Sequence, residues 1–108
     1  MRICRIWRGW TSPENAAAYQ DLVWSTVIPE MIEARRIEGF RQIDLMRRDL
    51  RDEVEFATIM WFDSVEAIKA FAGEDEEVSD VPPAARAVLS RFDERAAHYD
   101  VLDRRPQP

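Results

Sequence analysis

A chain of 108 residues with a formal charge of −6 and a pI near 4.8 is one domain by length, and it has no basic stripe to displace counterions from phosphates, which argues against a nucleic-acid partner. Apolar residues at 46% and charged residues at 33% describe a globular chain, and no apolar run approaches the ~20 residues of a membrane span. The single Cys4 allows neither an internal disulfide nor a CxxC pair, and the opening MRICRIWRGW alternates charge with bulk unlike a signal peptide, so a cytoplasmic setting is expected.

Arg2 to Trp10 alternates as a strand, with Ile3, Arg5, Trp7 and Gly9 on one side and Cys4, Ile6, Arg8 and Trp10 on the other. It stops at Thr11-Ser12-Pro13-Glu14, where Thr11 and Glu14 have capping-box spacing and Pro13 suits a first helical turn. The helix that follows carries Tyr19, Leu22, Val23, Thr26, Val27 and Met31 as one apolar stripe. Pro29 removes a backbone donor inside it and is expected to kink or split it, the second piece running from about Glu30 to Arg36. Gly39 ends that unit. Phe40 to Arg48 reads as a second strand, with Ile43 and Leu45 on one side and Phe40 and Met46 on the other.

The charged connection Asp49 to Glu53 is short enough for a hairpin, so the second and third strands should be antiparallel neighbours. In the third strand Val54, Phe56, Thr58, Met60 and Phe62 share one face while Ala57, Ile59 and Trp61 share the other, and both faces ask for cover. Asp63 is placed to cap the next helix, which shows Val65, Ile68, Phe71 and Ala72 on one face and closes at Gly73. Glu74 to Asp80, EDEEVSD, has no period and reads either as a solvated loop or as a flap over a pocket. A helical piece at Ala84 to Arg91 and a last strand at about Ala96 to Leu102 follow, the latter with Ala97, Tyr99 and Val101 on one side and His98 and Asp100 on the other. Residues 103–108 read as a frayed tail beyond a domain of residues 1–102.

The order strand, helix, strand, strand, helix, strand is a ferredoxin-like α+β pattern. It predicts βαββαβ topology with one four-stranded antiparallel sheet and both helices on the same face. The other face keeps apolar groups from the first three strands and needs its own cover. A second copy of the sheet supplies one, so a homodimer through the sheet face is expected.

IWRGWTSPENAAAY, EFATIMWFDSVEAIKAFAG and RFDERAAHYDV together resemble the antibiotic biosynthesis monooxygenase domain, a family of the dimeric α/β-barrel superfamily. The resemblance covers nearly the whole chain. It implies a dimeric barrel and cofactor-independent oxygenation of a small phenolic, quinol-like or polyketide-like molecule, with no cofactor and no metal. Heme-degrading members of the superfamily use an Asn on the first strand, a Trp on the second helix and a His soon after it. This chain has no Asn in Arg2 to Trp10 and no His between Gly73 and Arg91, so heme degradation is not expected.

His98 is the only histidine and hence the first candidate for a base near neutral pH. Asp100, two residues on, shares its strand face and is a candidate to orient the ring, and Tyr99 is a candidate donor to a phenolate. The ordinary alternative is a histidine hydrogen-bonded at an edge strand or an interface. No third ligand accompanies His98 and Asp100 at metal-site spacing. Trp7, Trp10, Trp24 and Trp61 are candidates to line a cavity for a flat substrate, with Tyr19 and Arg41 as polar contacts; core, interface and surface ion pairs are the alternatives. GxSxG, GxGxxG and phosphate-loop motifs are absent. Two further functions are compatible with the same pocket: a non-catalytic dimer that binds a small hydrophobic ligand, and a cyclase or isomerase that uses His98 as its base.

Overall fold

The computed structural model describes residues 2–108. Strand β1 (Ile3–Thr11) lies at the centre of an antiparallel sheet and pairs along its whole length with β3 (Val54–Phe62), from Ile3 opposite Phe62 to Thr11 opposite Val54. β2 (Phe40–Asp49) flanks β3 on the outer side, and the connection closes with the Leu50 amide donating to the Glu53 carbonyl at 2.9 Å.

The second edge of β1 is shared by two short strands. β4 (Arg91–Phe92) pairs with Gly9 and Trp10, and β5 (Ala97–Asp100) pairs with Ile3 to Ile6. A single last strand was expected. It is broken because residues 93–96 turn outward to hold the acidic segment: Ser79 donates to the Glu94 carbonyl at 2.9 Å, Ala96 donates to the Glu77 carbonyl at 2.6 Å, and Val78 bridges to Arg95. The sheet therefore has five strands, ordered β2-β3-β1 with β4 and β5 sharing the last position.

The first helix begins with a 3-10 turn, Pro13–Asn15, whose cap is Ser12 and not Thr11: the Asn15 amide donates to Ser12 Oγ at 3.3 Å. Thr11 remains the last residue of β1, fully buried, and its Oγ1 is the one buried side-chain polar atom without a partner among the described residues. α1 (Ala16–Leu22) runs on without a break into a π-helical segment, Val23–Ile32, that contains Pro29. In this register each ring closes one residue later than in an α-helix, and Pro29 is absorbed without splitting the helix. The wider turn also rotates the apolar stripe, so Ile28 and Ile32 face inward while Met31 is exposed.

α2 (Val65–Ala72) is capped by Ser64, whose Oγ accepts from the Ala67 amide at 3.2 Å. Asp63, the expected cap, is engaged by Arg41 instead. Arg41 occupies a bulge between Phe40 and Gln42 that puts Phe40 on the same side as Ile43 and Leu45, against Phe62, where strict alternation places it opposite. Gly39 at φ +87° makes this entry possible, since a Cβ there would lie 3.0 Å from the Ala67 Cβ. α3 (Pro83–Val88) starts on Pro82-Pro83 and ends earlier than expected.

Two apolar clusters fill the space between the sheet and the helices. One gathers Tyr19, Val23 and Ile28 with Val54, Phe56, Val81 and Ala85; the other gathers Ile3, Met60 and Phe62 with Ala67 and Ile68. Ile32 and Ile43 touch both clusters. Burying Phe56, Phe62 and Ile68 almost completely contributes about 1.5–3 kcal/mol each by area removed from water.

Candidate functional site

The two clusters do not close completely on one another. Between them lies a cavity of about 90 Å³. Its floor is the helix-facing side of the sheet, with Arg5 and Trp7 from β1, Ile43 from β2, and Thr58 and Met60 from β3. Its ceiling is the helical arm, with Tyr19, Val23, Val27, Ile28 and Ile32. Phe71 closes one end. Ser79, Asp80, Val81 and Pro82, the exit of the acidic segment, line another side.

Trp7 is an apolar wall. Its indole N–H is already used, donating to the Asp93 carbonyl at 2.8 Å, and its ring tip rests against Gly9, where a Cβ would come within 2.8 Å of it. Tyr19 is 3% exposed and tilts against Phe56 at 4.8 Å between ring centroids. Burial pushes its hydroxyl pKa up, so the group stays a neutral donor. That hydroxyl has no hydrogen-bond partner among the described residues and is still not one of the sealed, unpartnered atoms. It therefore touches open space.

Arg5 is 4% exposed. Its Nη1 donates to the Glu76 carbonyl and to His98 Nε2, the latter at 2.9 Å, and its Nη2 donates to the Val78 carbonyl at 3.2 Å. The guanidinium also lies 5.4 Å from the Phe71 ring centre. Burial lowers its pKa below the ordinary arginine value, with partial compensation from Glu77. Because a guanidinium only donates, Nε2 of His98 must be the unprotonated, accepting nitrogen. Burial first, then the charge of Arg5, lower the His98 pKa below 6.5, against a smaller opposing effect of Glu77 and Glu76. His98 stands behind Arg5 and is not part of the cavity wall.

Of the residues singled out from the sequence, Trp7 and Tyr19 meet in the cavity. The others do not. Asp100 is an exposed neighbour of Ile3 with no bond to the His98 ring among the described residues. Tyr99 pairs with Cys4 on the opposite sheet face and is exposed. Trp61 is on that opposite face too, its indole donating to Asp44 Oδ2 at 3.1 Å and its ring under the Arg104 guanidinium at 5.4 Å. Trp10 is also directed there, beneath Arg91 at 3.9 Å. Trp24, 70% exposed, borders an outer groove with Arg47 and Phe56. Arg41 makes an exposed ion pair with Asp63 and so lowers that carboxyl's pKa.

Arg5 and Thr58 were not expected in a site, whereas Ser79 and Asp80 belong to the segment that reads as a loop or as a flap over a pocket. Arg5 did leave a signal: a charged residue between Ile3 and Trp7 on an otherwise apolar strand face is rarely buried without a purpose. For Ser79 and Asp80 the lack of period in EDEEVSD left loop and flap open, and hydrogen bonds to the broken edge strand decide between them. Among the described residues no group of three His, Cys, Asp or Glu side chains is placed to hold a metal ion, and no helix is long and apolar enough to cross a membrane.

No family model matches the chain, and no curated protein matches it by sequence. Solved structures do match. A Bacillus cereus protein provisionally named an antibiotic biosynthesis monooxygenase superposes with a TM-score of 0.64 at 14% identity, over 100% of this chain and 98% of that one. SnoaB of Streptomyces nogalater, a cofactor-independent oxygenase, superposes at 0.61 and 19% identity over 98% of each chain. Rv0793 of Mycobacterium tuberculosis gives 0.59 and 20%, over 96% of this chain and 98% of that one. The chain thus has the α+β, ferredoxin-like fold of the antibiotic biosynthesis monooxygenase-like proteins.

Proposed function

We propose that the chain is a cofactor-independent oxygenase for a small aromatic or phenolic substrate bound between sheet and helices. The observation that carries this reading is a mostly apolar cavity with the buried Arg5 in its floor and an exposed acid, Asp80, among its lining residues. The fold shared with SnoaB supports it.

In this chemistry the substrate supplies the electrons. A phenol gives its proton to a base, the phenolate passes one electron to O2, and the resulting radical and superoxide join in a new C–O bond. Loss of water from that peroxide, together with the ring C–H, leaves a quinone, so one O2 is consumed for each quinone and water formed. Cation and hydroxyl donors that face the ring oxygen favour the anion, and apolar walls keep water away from the intermediates.

His98 is the base that the sequence suggests, but the lone pair of its Nε2 is committed to Arg5. Asp80, with no hydrogen-bonded partner for its carboxylate among the described residues, takes the role of proton acceptor. Oxygen uptake measured against a panel of phenols and hydroquinones tests this. Uptake above background that falls about a hundredfold or more in Asp80→Asn is expected, and a panel without uptake overturns the reading. One observation, the commitment of the only histidine, favours a non-catalytic binder of the same molecules, which binds the panel without consuming oxygen.

The proposal includes a second copy of the chain over the open sheet face, where Ile6, Ile59 and Trp61 are half-buried and Met46 and Tyr99 exposed. Light scattering at micromolar concentration is expected to return twice the chain mass.

A further inference from the structure

One charge in the cavity wall is hydrogen-bonded by neutral groups alone. Arg5 is 96% buried, the complement of its 4% exposure, and makes no ion pair among the described residues. Glu77, the acid that acts on it through space, is itself paired with Arg95 at 3.3 Å. The guanidinium has five N–H donors. Two carbonyls and one imidazole take three of them, and the side chain is part of the cavity wall. A cation kept out of water by neutral groups gains most from a ligand that brings a negative oxygen.

The remaining wall restricts what carries that oxygen. Val27, Ile32 and Met60 offer only apolar groups, while Tyr19 brings a hydroxyl without a partner among the described residues. The volume of about 90 Å³ is below the ~150 Å³ at which an engineered apolar cavity takes up benzene. One ring fits if the ceiling side chains yield. Two or three fused rings need the helical arm or the acidic segment to leave its hydrogen bonds.

We propose that Arg5 is the binding residue for an anionic ring oxygen, that the substrate class is a single-ring phenol held as its phenolate, and that His98 is the positioning residue that aims the guanidinium. This rests on the function proposed above and adds the charge state, the size and the anchoring residue of the ligand. It also accounts for the buried contact of His98, since an imidazole that accepts from Nη1 keeps the arginine from swinging wholly onto the carbonyls of Glu76 and Val78.

The probe is 4-nitrophenol, whose ionised form alone absorbs in the visible. Protein is titrated into it at a pH where most of it is neutral, and binding is followed in parallel by tryptophan quenching. The visible band is expected to rise on binding, with bound ionisation favoured about tenfold, one unit of pKa. Arg5→Gln is expected to lose the rise, His98→Ala to lose most of it, and His98→Gln, which keeps an accepting oxygen, to restore it. Val27→Phe, which fills the cavity and leaves Arg5 untouched, is expected to abolish binding with the circular dichroism of the wild type. This variant keeps the test decisive if Arg5→Gln does not fold.

Quenching without a rise in the band, or a rise unchanged in Arg5→Gln, overturns the role of Arg5. Binding of the two-ring 4-nitro-1-naphthol as tight as that of 4-nitrophenol overturns the size limit. A full rise in the band with no oxygen uptake on any phenol leaves this inference standing and overturns the oxygenase reading, so the two fail separately.

Discussion

Along β3 alternate residues enter two different surroundings. Phe56, Met60 and Phe62 are 1%, 4% and 0% exposed beneath the helical arm and α2, while Ala57, Ile59 and Trp61 remain half-buried on the other side of the same strand. The covered side is held by shape: aromatic rings meet at tilted angles, and a glycine stands wherever a Cβ would collide. The open side has no helices over it, and its rings lie under guanidinium groups, Arg91 on Trp10 and Arg104 on Trp61, a contact that Phe56, Phe71 and Phe92 also make on the covered side. Such contacts contribute about 0.5–1 kcal/mol each where exposed and exchange readily for a partner. The covered side encloses the cavity, and the open side is a surface suited to association.

Substitutions can break this contrast on either side. The largest effect is expected from Phe62→Ala, which empties a site between Phe40 and Phe71 and should cost about 3–5 kcal/mol, read as the loss of midpoint in urea unfolding. Ile59→Asp, on the open side, should leave the monomer folded and weaken self-association about tenfold or more, seen as a shift of the light-scattering mass toward one chain. Gly39→Ala is expected to cost about 1–3 kcal/mol, because its φ of +87° and the 3.0 Å approach to Ala67 leave a side chain no relaxed position. Thr11→Val should be neutral or raise stability by up to about 1 kcal/mol, since it replaces a buried hydroxyl without a partner by a group of the same shape.

A smaller effect depends on pH. Arg5 on β1 and Glu76 and Glu77 in the acidic segment act on the His98 ring, whose pKa in the folded chain lies below the ordinary 6.5. Between those two values the unfolded chain binds more protons, so stability rises with pH across that window. It is fully present above 6.5 and is lost as the pH falls toward the lowered value. The urea midpoint should therefore fall more between about pH 7 and about pH 5 in the wild type than in His98→Gln.

Much of the fold is legible in the residues because it is periodic. The two-residue alternation of Val54 to Phe62 predicts both faces of β3, and the short charged link Asp49 to Glu53 predicts its antiparallel neighbour. What escapes such reading is set by single contacts. The bulge at Arg41 follows from its pairing with Asp63, which turns Phe40 inward, and the broken edge strand follows from hydrogen bonds to a segment with no period of its own. The site is less legible than the fold for the same reason. Trp7 and Tyr19 are large and mark a cavity, whereas Arg5 gains its place from Phe71, His98 and two backbone carbonyls that are distant in the chain.

The π-helical run from Val23 to Ile32 gives the ceiling of the cavity an unusual variable. Its inward residues are selected by the register of the backbone, so the volume beneath can change by insertion or deletion of one residue, with no substitution of the others. Removing one residue between Val23 and Ile32 would return the arm to α-helical pitch, carry Met31 toward the interior and draw Ile28 or Ile32 out of it. Diversification of pocket size in such an arm can then proceed in single-codon steps of length, and two chains identical at every shared position can enclose different cavities.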